Sequence, residues 1–170
     1  MIIKELPSYK SFLEMARRYT NMDTLVCEAY LQVLRSGTVL HHRVERSLAR
    51  LGLSYGRFML LCLLNQDPEP IPVCKLAAKA GVTTPTVSAL LAGMVRDGLV
   101  ERREDTSDRR VVRIGLLPAG RRILDDVLPG LFVLQTAVMS GLDHEELAAL
   151  VTLLSKVRLD VGHCSEESTK

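Results

Sequence analysis

Residues 71–117 read IPVCKLAAKAGVTTPTVSALLAGMVRDGLVERREDTSDRRVVRIGLL. Val73, Leu76, Ala77 and Ala80 recur at helical spacing and stop at Gly81, a residue suited to the left-handed end of a helix. Val82 is the expected buried turn residue. Thr84 followed by Pro85 reads as an N-cap and a first helical position. Val87, Leu90, Leu91 and Met94 then form one apolar face. The other face carries Pro85, Thr86, Ser88, Ala89, Ala92 and Arg96, and Gly98 ends the helix. Residues 99–103 and 111–117 alternate as strands do, around the polar, turn-prone tip at 104–110. The stretch therefore predicts two short helices joined by a turn, then a β-hairpin with a charged tip.

Working outward toward the N-terminus, Pro7 opens a helical pattern through Tyr9, Phe12, Leu13 and Ala16. Asn21 and Asp23 offer caps for a second, longer helix with an apolar stripe from Leu25 to Leu51 and a soft spot at Ser36 and Gly37. So extended a stripe implies more than one neighbour, and a second copy of the chain is a natural one. Gly52 ends that helix and Ser54 caps the next. Its residues Phe58, Leu60, Leu61, Leu63 and Leu64 make it apolar nearly all round, hence central. The segment 71–73 is expected to be extended, because each flanking proline disfavours helix.

Toward the C-terminus, Pro118-Ala119-Gly120 opens a long helix in which Pro129 is expected to produce a bend. Asp143 and Glu146 have the spacing of a capping box for a final helix to Val161. From Gly162 the chain is polar and is expected to be disordered.

At 170 residues the chain is one domain's worth of sequence. Its net charge of +2 is uninformative, but residues 96–122 hold eight Arg, five acidic residues and no Lys. Guanidinium is planar and permanently charged, which suits phosphate and groove contacts. The absence of Trp argues against a platform that stacks single-stranded bases. The longest apolar run, 58–64, is too short to span a bilayer, and the N-terminal residues lack a signal-peptide pattern. A cytoplasmic protein without a membrane partner is expected. Its cysteines (Cys27, Cys62, Cys74, Cys164) are then free thiols.

Three segments in order, LSYGRFMLLCLL, KLAAKAGVTTPTVSALLAGMVRDGLVERREDTSDRR and LLPAGRRIL, resemble the MarR family of winged helix-turn-helix regulators over residues 53–161. The resemblance implies a mainly α fold with a small β-wing, and a helical dimerisation region from both termini. Residues 1–52 and 118–161 would supply dimerisation helices, 53–117 the DNA-binding lobe and 162–170 a tail, all in one structural domain. It also implies a homodimeric repressor of double-stranded DNA at a pseudo-palindromic operator, released by a small-molecule effector.

Carried over residue by residue, the resemblance assigns DNA contact to Thr83, Thr84, Pro85, Thr86, Ser88 and Ala89 on the recognition helix. On the wing it assigns Ser107, Asp108, Arg109 and Arg110, with Arg109 entering the minor groove and Asp108 orienting it. The family commonly has basic residues where this chain has Thr84, Ala89 and Gly93. Bidentate reading of guanine by this helix is therefore poor; base readout is expected to be dominated by Thr, Ser and methyl contacts, with the wing and DNA shape supplying much of the discrimination. Leu117 also replaces the usual Thr before Pro-Ala-Gly.

For an effector, Tyr30, His41, His42 and Arg57 are candidates, Arg57 being suited to a carboxylate. The plainer reading is that adjacent histidines point different ways, one to an interface and one to solvent. Cys27, near a helix start, is the redox candidate, whereas Cys62 and Cys74 read as small buried hydrophobes. Neither a cofactor nor a metal is expected, since Cys27, His41, His42, His144, His163 and Cys164 lack ligand spacing. No nucleophile and base sit in a recognisable elbow, so an enzyme is not expected. A redox-responsive regulator and a non-specific chromosome-associated protein are the alternatives. Because the wing carries the charge, Arg109→Ala should weaken operator binding more than Ser88→Ala; a titration returning the opposite ranking overturns this weighting.

Overall fold

The computed structural model describes residues 11, 14, 23–105, 108 and 111–167, with only the backbone described beyond Val157. From residue 23 onward the described residues form six helices and three short strands. They are α1 (Thr24–Ala49), α2 (Tyr55–Gln66), β1 (Ile71–Pro72), α3 (Val73–Ala80), α4 (Thr84–Arg96), β2 (Val100–Glu104), β3 (Val112–Leu116), α5 (Pro118–Met139) and α6 (His144–Glu167). The fold is mainly helical with one small sheet. The chain divides into two compact units, Met1–Val127 and Leu128–Lys170.

In the first unit the helix starts follow local chemistry. The Asp23 carboxylate accepts from the Leu25 and Val26 amides at 2.8 and 3.4 Å, satisfying two otherwise orphaned donors. The Ser54 hydroxyl accepts from the Arg57 amide at 3.3 Å in the same way. Helix α1 runs without interruption through Ser36 and Gly37, so the expected soft spot is not a break. Of the pattern expected at 7–19, only Ser11 and Glu14 are described, both helical; the rest lies outside the described residues.

Helix α2 lies at the centre, as its composition predicts. Phe58, Leu60, Leu61 and Leu64 are buried, and Leu63 is half-buried. Helix α4 contributes Val87, Leu91 and Met94, each 0 % exposed, at the i, i+4, i+7 spacing of one helical face. Leu48, Leu76, Val100, Ile114 and Leu124 are among the residues buried with them.

The sheet has the order β1-β3-β2, all antiparallel. Ile71 pairs with Ile114, which makes the short extended segment a third strand beside the expected hairpin. In the hairpin Val100 pairs with Leu116, Arg102 with Ile114 and Glu104 with Val112.

Four local expectations are corrected. The N-cap of α4 is Thr83, whose hydroxyl accepts from the Thr86 amide at 3.4 Å; Thr84 is already helical. Either threonine has the chemistry of a cap, and Pro85 is tolerated within the first turn. Val82 is 44 % exposed rather than buried. Cys74, on the outer side of α3, is exposed rather than buried. The final helix is assigned to Glu167, beyond the expected end at Val161.

In the second unit α5 continues through Pro129 as one assigned helix. The α6 start forms the expected reciprocal capping box. The Asp143 carboxylate accepts from the Glu146 amide and the Glu146 carboxylate from the Asp143 amide, both at 2.9 Å.

Gly120 sets the approach of α5 to the sheet. A Cβ there would lie 2.4 Å from the Leu99 carbonyl oxygen and 2.7 Å from Leu116 Cδ1. Backbone cannot retreat as a flexible side chain can. Gly120→Ala should therefore cost about 1–3 kcal/mol, the usual range for overpacking, read as a lowered midpoint in urea unfolding; an unchanged midpoint contradicts the tight contact.

Candidate nucleic-acid interface

With Val87, Leu91 and Met94 facing inward, the remainder of α4 is turned outward by the helical period. Thr83, Thr84, Pro85, Thr86 and Ala89 are exposed, and Ser88 is half-buried. The Thr83 and Thr86 hydroxyls lie 2.8 Å apart in a mutual hydrogen bond, so part of their bonding capacity is committed within the chain. At Gly93 an added Cβ would meet nothing within 4 Å. This is an outward surface of hydroxyls, methyls and bare backbone, without a basic side chain before Arg96.

The wing is built differently. Arg103 and Arg113 are directly paired across β2 and β3, so two like charges share one face of the sheet. Left alone, such a pair is destabilising. Each guanidinium instead meets a carboxylate: Arg103 Nη2 lies 2.5 Å from Glu101 Oε1, and Arg113 Nε donates to Asp105 Oδ2.

Asp105 is the one buried charged residue among the described residues, at 6 % exposure. It also accepts from the Asp108 amide at 3.1 Å, while its own amide donates to the Val111 carbonyl at 2.9 Å. Arg113 Nη1 reaches further, to the Pro70 carbonyl at 3.1 Å. Asp105 and Arg113 thus tie the start of the tip to the segment leading into β1 and α3. Asp108 is exposed, consistent with a surface position. Ser107, Arg109 and Arg110 lie outside the described residues.

At the other end of α4, Arg57 Nη2 lies 2.5 Å from Asp97 Oδ2. That hydrogen bond holds the Asp97 carboxyl below the usual carboxylate range and outweighs the opposing effect of desolvation, while the charge of Arg57 and the hydrogen bond and charge of Arg96 add smaller effects in the lowering direction. With a depressed folded value, any stabilisation is complete above the ordinary carboxylate range and fades as pH falls through the depressed value. Arg57 is suited to an effector carboxylate by its chemistry; the carboxylate it meets here is the chain's own.

His41 Nε2 and His42 Nδ1 each lie 3.3 Å from one Glu45 carboxylate, and His41 stacks edge-on against Tyr55 at 4.5 Å. The adjacent histidines therefore converge on one acid rather than diverging. Tyr30 is 64 % exposed and eleven residues away along α1, roughly 16 Å at the rise of an α-helix, so it does not join them within one subunit. Cys27 is half-buried in the first turn of α1. Burial pushes the Cys62 thiol up, which makes it a poor nucleophile. Among the described residues, no group of three or more His, Cys, Asp or Glu converges to hold a metal ion.

A model of the MarR family matches residues 53–112, the span from α2 to the start of β3. The HTH-type transcriptional repressor YetL of Bacillus subtilis is 36 % identical over 155 residues, covering 91 % of this chain and 93 % of YetL. The chain belongs to the MarR family. It is a transcriptional regulator of winged-helix fold. A MarR family transcription regulator of known crystal structure matches with a TM-score of 0.72 at 22 % identity, over 92 % of this chain and 97 % of that one. A Staphylococcus aureus MepR mutant bound to an oligodeoxyribonucleotide matches with a TM-score of 0.54 at 23 % identity, over 79 % and 97 %. At those identities the likeness concerns the fold alone. No single helix among the described residues is long and apolar enough to cross a membrane.

The resemblance named the wing tip but not Asp105, Arg113 or Asp97. Asp105 and Arg113 have a readable signal, opposite charges flanking one hairpin turn. Arg57 and Asp97, 40 residues apart, have none. Asp105→Ala should loosen the tip, costing about 1–3 kcal/mol for lost charge-assisted hydrogen bonds and lowering DNA affinity at least tenfold. Chemical unfolding and a duplex titration measure the two effects, and intact affinity removes the wing clamp from the interface.

Proposed function

We propose that this MarR family protein is a homodimeric, sequence-specific repressor that binds double-stranded DNA at a pseudo-palindromic operator. In this reading residues 53–117 form the DNA-binding lobe, while 1–52 and 118–161 supply the dimerisation helices. The observation that carries it is the pairing of an outward, small-residue face on α4 with a wing whose tip is clamped by a buried carboxylate. The α4 face enters a major groove. Arg109 enters the adjacent minor groove, Asp108 orients it, and Ser107 and Arg110 meet phosphate.

Dimerisation has its own support. Leu25, Val26 and Tyr30 on α1 are 70 %, 63 % and 64 % exposed, and Val133 and Val151 in the second unit are 71 % and 66 % exposed. Apolar surface of this extent on a soluble regulator is expected to be covered by a second copy. Two recognition helices then meet half-sites about one helical turn apart. An effector lowers affinity by favouring a conformation with the wrong separation. The His41, His42 and Glu45 cluster beside Tyr55 is the proposed neighbourhood for that ligand, and Cys27 is the residue to follow if the signal is an oxidant.

Selecting bound duplexes from a random-sequence pool should yield an inverted repeat. Affinity for it should exceed that for random duplex by at least about a thousandfold at physiological salt. Sedimentation should give a mass about twice 18.9 kDa, and Leu25→Glu with Val26→Glu should reduce both the mass and the affinity. A steep salt dependence with no preferred sequence would instead identify a non-specific chromosome-associated protein.

A further inference from the structure

The pair formed by Arg57 and Asp97 is poorly explained by stability. Asp97 is the C-cap of α4, where the carbonyl end of the helix disfavours a negative charge. The two side chains are 23 % and 37 % exposed, a setting in which an ion pair contributes little. Arg57 Nε is buried and has no acceptor among the described residues, which is a cost. The arrangement nevertheless joins the first turn of α2 to the C-cap of the recognition helix.

The neighbouring contact shows what this joint does. A Cβ at Gly56 would lie 3.1 Å from Leu90 Cδ1, so the bare backbone of α2 lets the middle of α4 come close. Leu90 on Gly56 and Asp97 on Arg57 are two fixed points on one helix, seven residues or about 10 Å apart. Two points on one support define a tilt. With Leu90 as pivot, a shift of about 1 Å at Asp97 moves the start of α4 by about the same distance the other way, because Thr84 lies six residues beyond the pivot. Hydrogen-bond distances to base edges tolerate only a few tenths of an ångström. Tyr55, the residue before Gly56, stacks on His41, so consecutive residues of α2 touch α1 and α4.

We propose that Arg57 is a positioning residue for operator recognition, setting the tilt of the recognition helix through Asp97 without itself contacting DNA. This rests on the DNA-binding reading above.

The test uses the full chain and a duplex selected by the wild-type protein from a random-sequence pool. Wild type, Arg57→Gln, Asp97→Asn and the charge swap Arg57→Asp with Asp97→Arg are titrated with selected and random duplex over a salt series, with melting curves alongside. Each single variant should lose at least tenfold in affinity for the selected duplex and less than threefold for random duplex. Melting temperatures should change by no more than about 2 °C, as for surface substitutions. The slope of log affinity against log salt should stay at the wild-type value, and the charge swap should recover most of the lost affinity.

A slope reduced by about one in Arg57→Gln means a direct phosphate contact and overturns the proposal. Single variants with wild-type affinity, or a charge swap that recovers nothing, overturn it equally. Failure of the wild-type protein to prefer any duplex removes the DNA-binding reading instead, a result visible before any variant is compared.

Discussion

The Leu99 carbonyl is the joint through which the interface is assembled. Gly98, at φ 67°, turns the chain out of α4, with its amide on the Val95 carbonyl and the Leu99 amide on the Met94 carbonyl. This is the six-to-one and five-to-two closure of a glycine-ended helix. The Leu99 carbonyl then accepts from the Leu117 amide at 3.0 Å, closing the base of the wing. Against that same oxygen only a residue without a side chain fits, which fixes Gly120 and the start of α5. The end of the recognition helix, both ends of the wing and the entry to α5 therefore meet at one peptide unit. None of the four can move far without the others.

Charge on the wing is distributed more sparingly than composition suggests. Of the eight arginines between residues 96 and 122, Arg96, Arg103 and Arg113 lie in ion pairs within the chain, with Asp97, Glu101 and Asp105. These pairs do not act equally. The exposed Arg96 and Arg103 pairs contribute little to stability and leave both arginines at the surface. The Asp105 carboxylate is buried, and removing Arg113 would take away the ion pair that offsets part of its desolvation. Its arginine reaches onward to the Pro70 carbonyl, so the local electrostatics of the tip are coupled to the segment that enters the helix-turn-helix.

The legible part of the fold was written in short-range chemistry. Asp23, Ser54 and the reciprocal pair of Asp143 and Glu146 mark helix starts because a cap acts on amides two or three residues away. The strands, the apolar face of α4 and the central place of α2 followed from periodicity. Thr83 and Thr84 are not distinguishable as caps from sequence because adjacent residues have the same capping chemistry. The exposure of Val82 is not legible in the sequence because apolar character does not by itself imply burial in a tight turn. The role of Gly120 was hidden behind its place in a helix-opening motif, since only the fold reveals what stands opposite. Arg57 and Asp97 were invisible as a pair: nothing local connects two charges on different helices, and Arg57 alone suggested a ligand.

The composition of α4 and its attachment to α2 have a common physical logic. A recognition helix with long basic side chains can change rotamers to keep its contacts when the helix tilts. Threonine, serine and alanine have at most one side-chain torsion ending in a heavy atom, so they have almost no such slack. The hydroxyls of Thr83 and Thr86 are further constrained by bonding to each other. In the proposed complex, short side chains would also require the helix backbone to come close to the bases, and the space at Gly93 is open for that approach. A helix of this composition therefore depends on orientation rather than reach. The buried face of α4 and the Leu99 joint hold that orientation coarsely, and in the proposed reading Gly56 and Arg57 on α2 trim it, so that a change felt at Tyr55 or His41 would alter recognition without any residue of α4 losing its own chemistry.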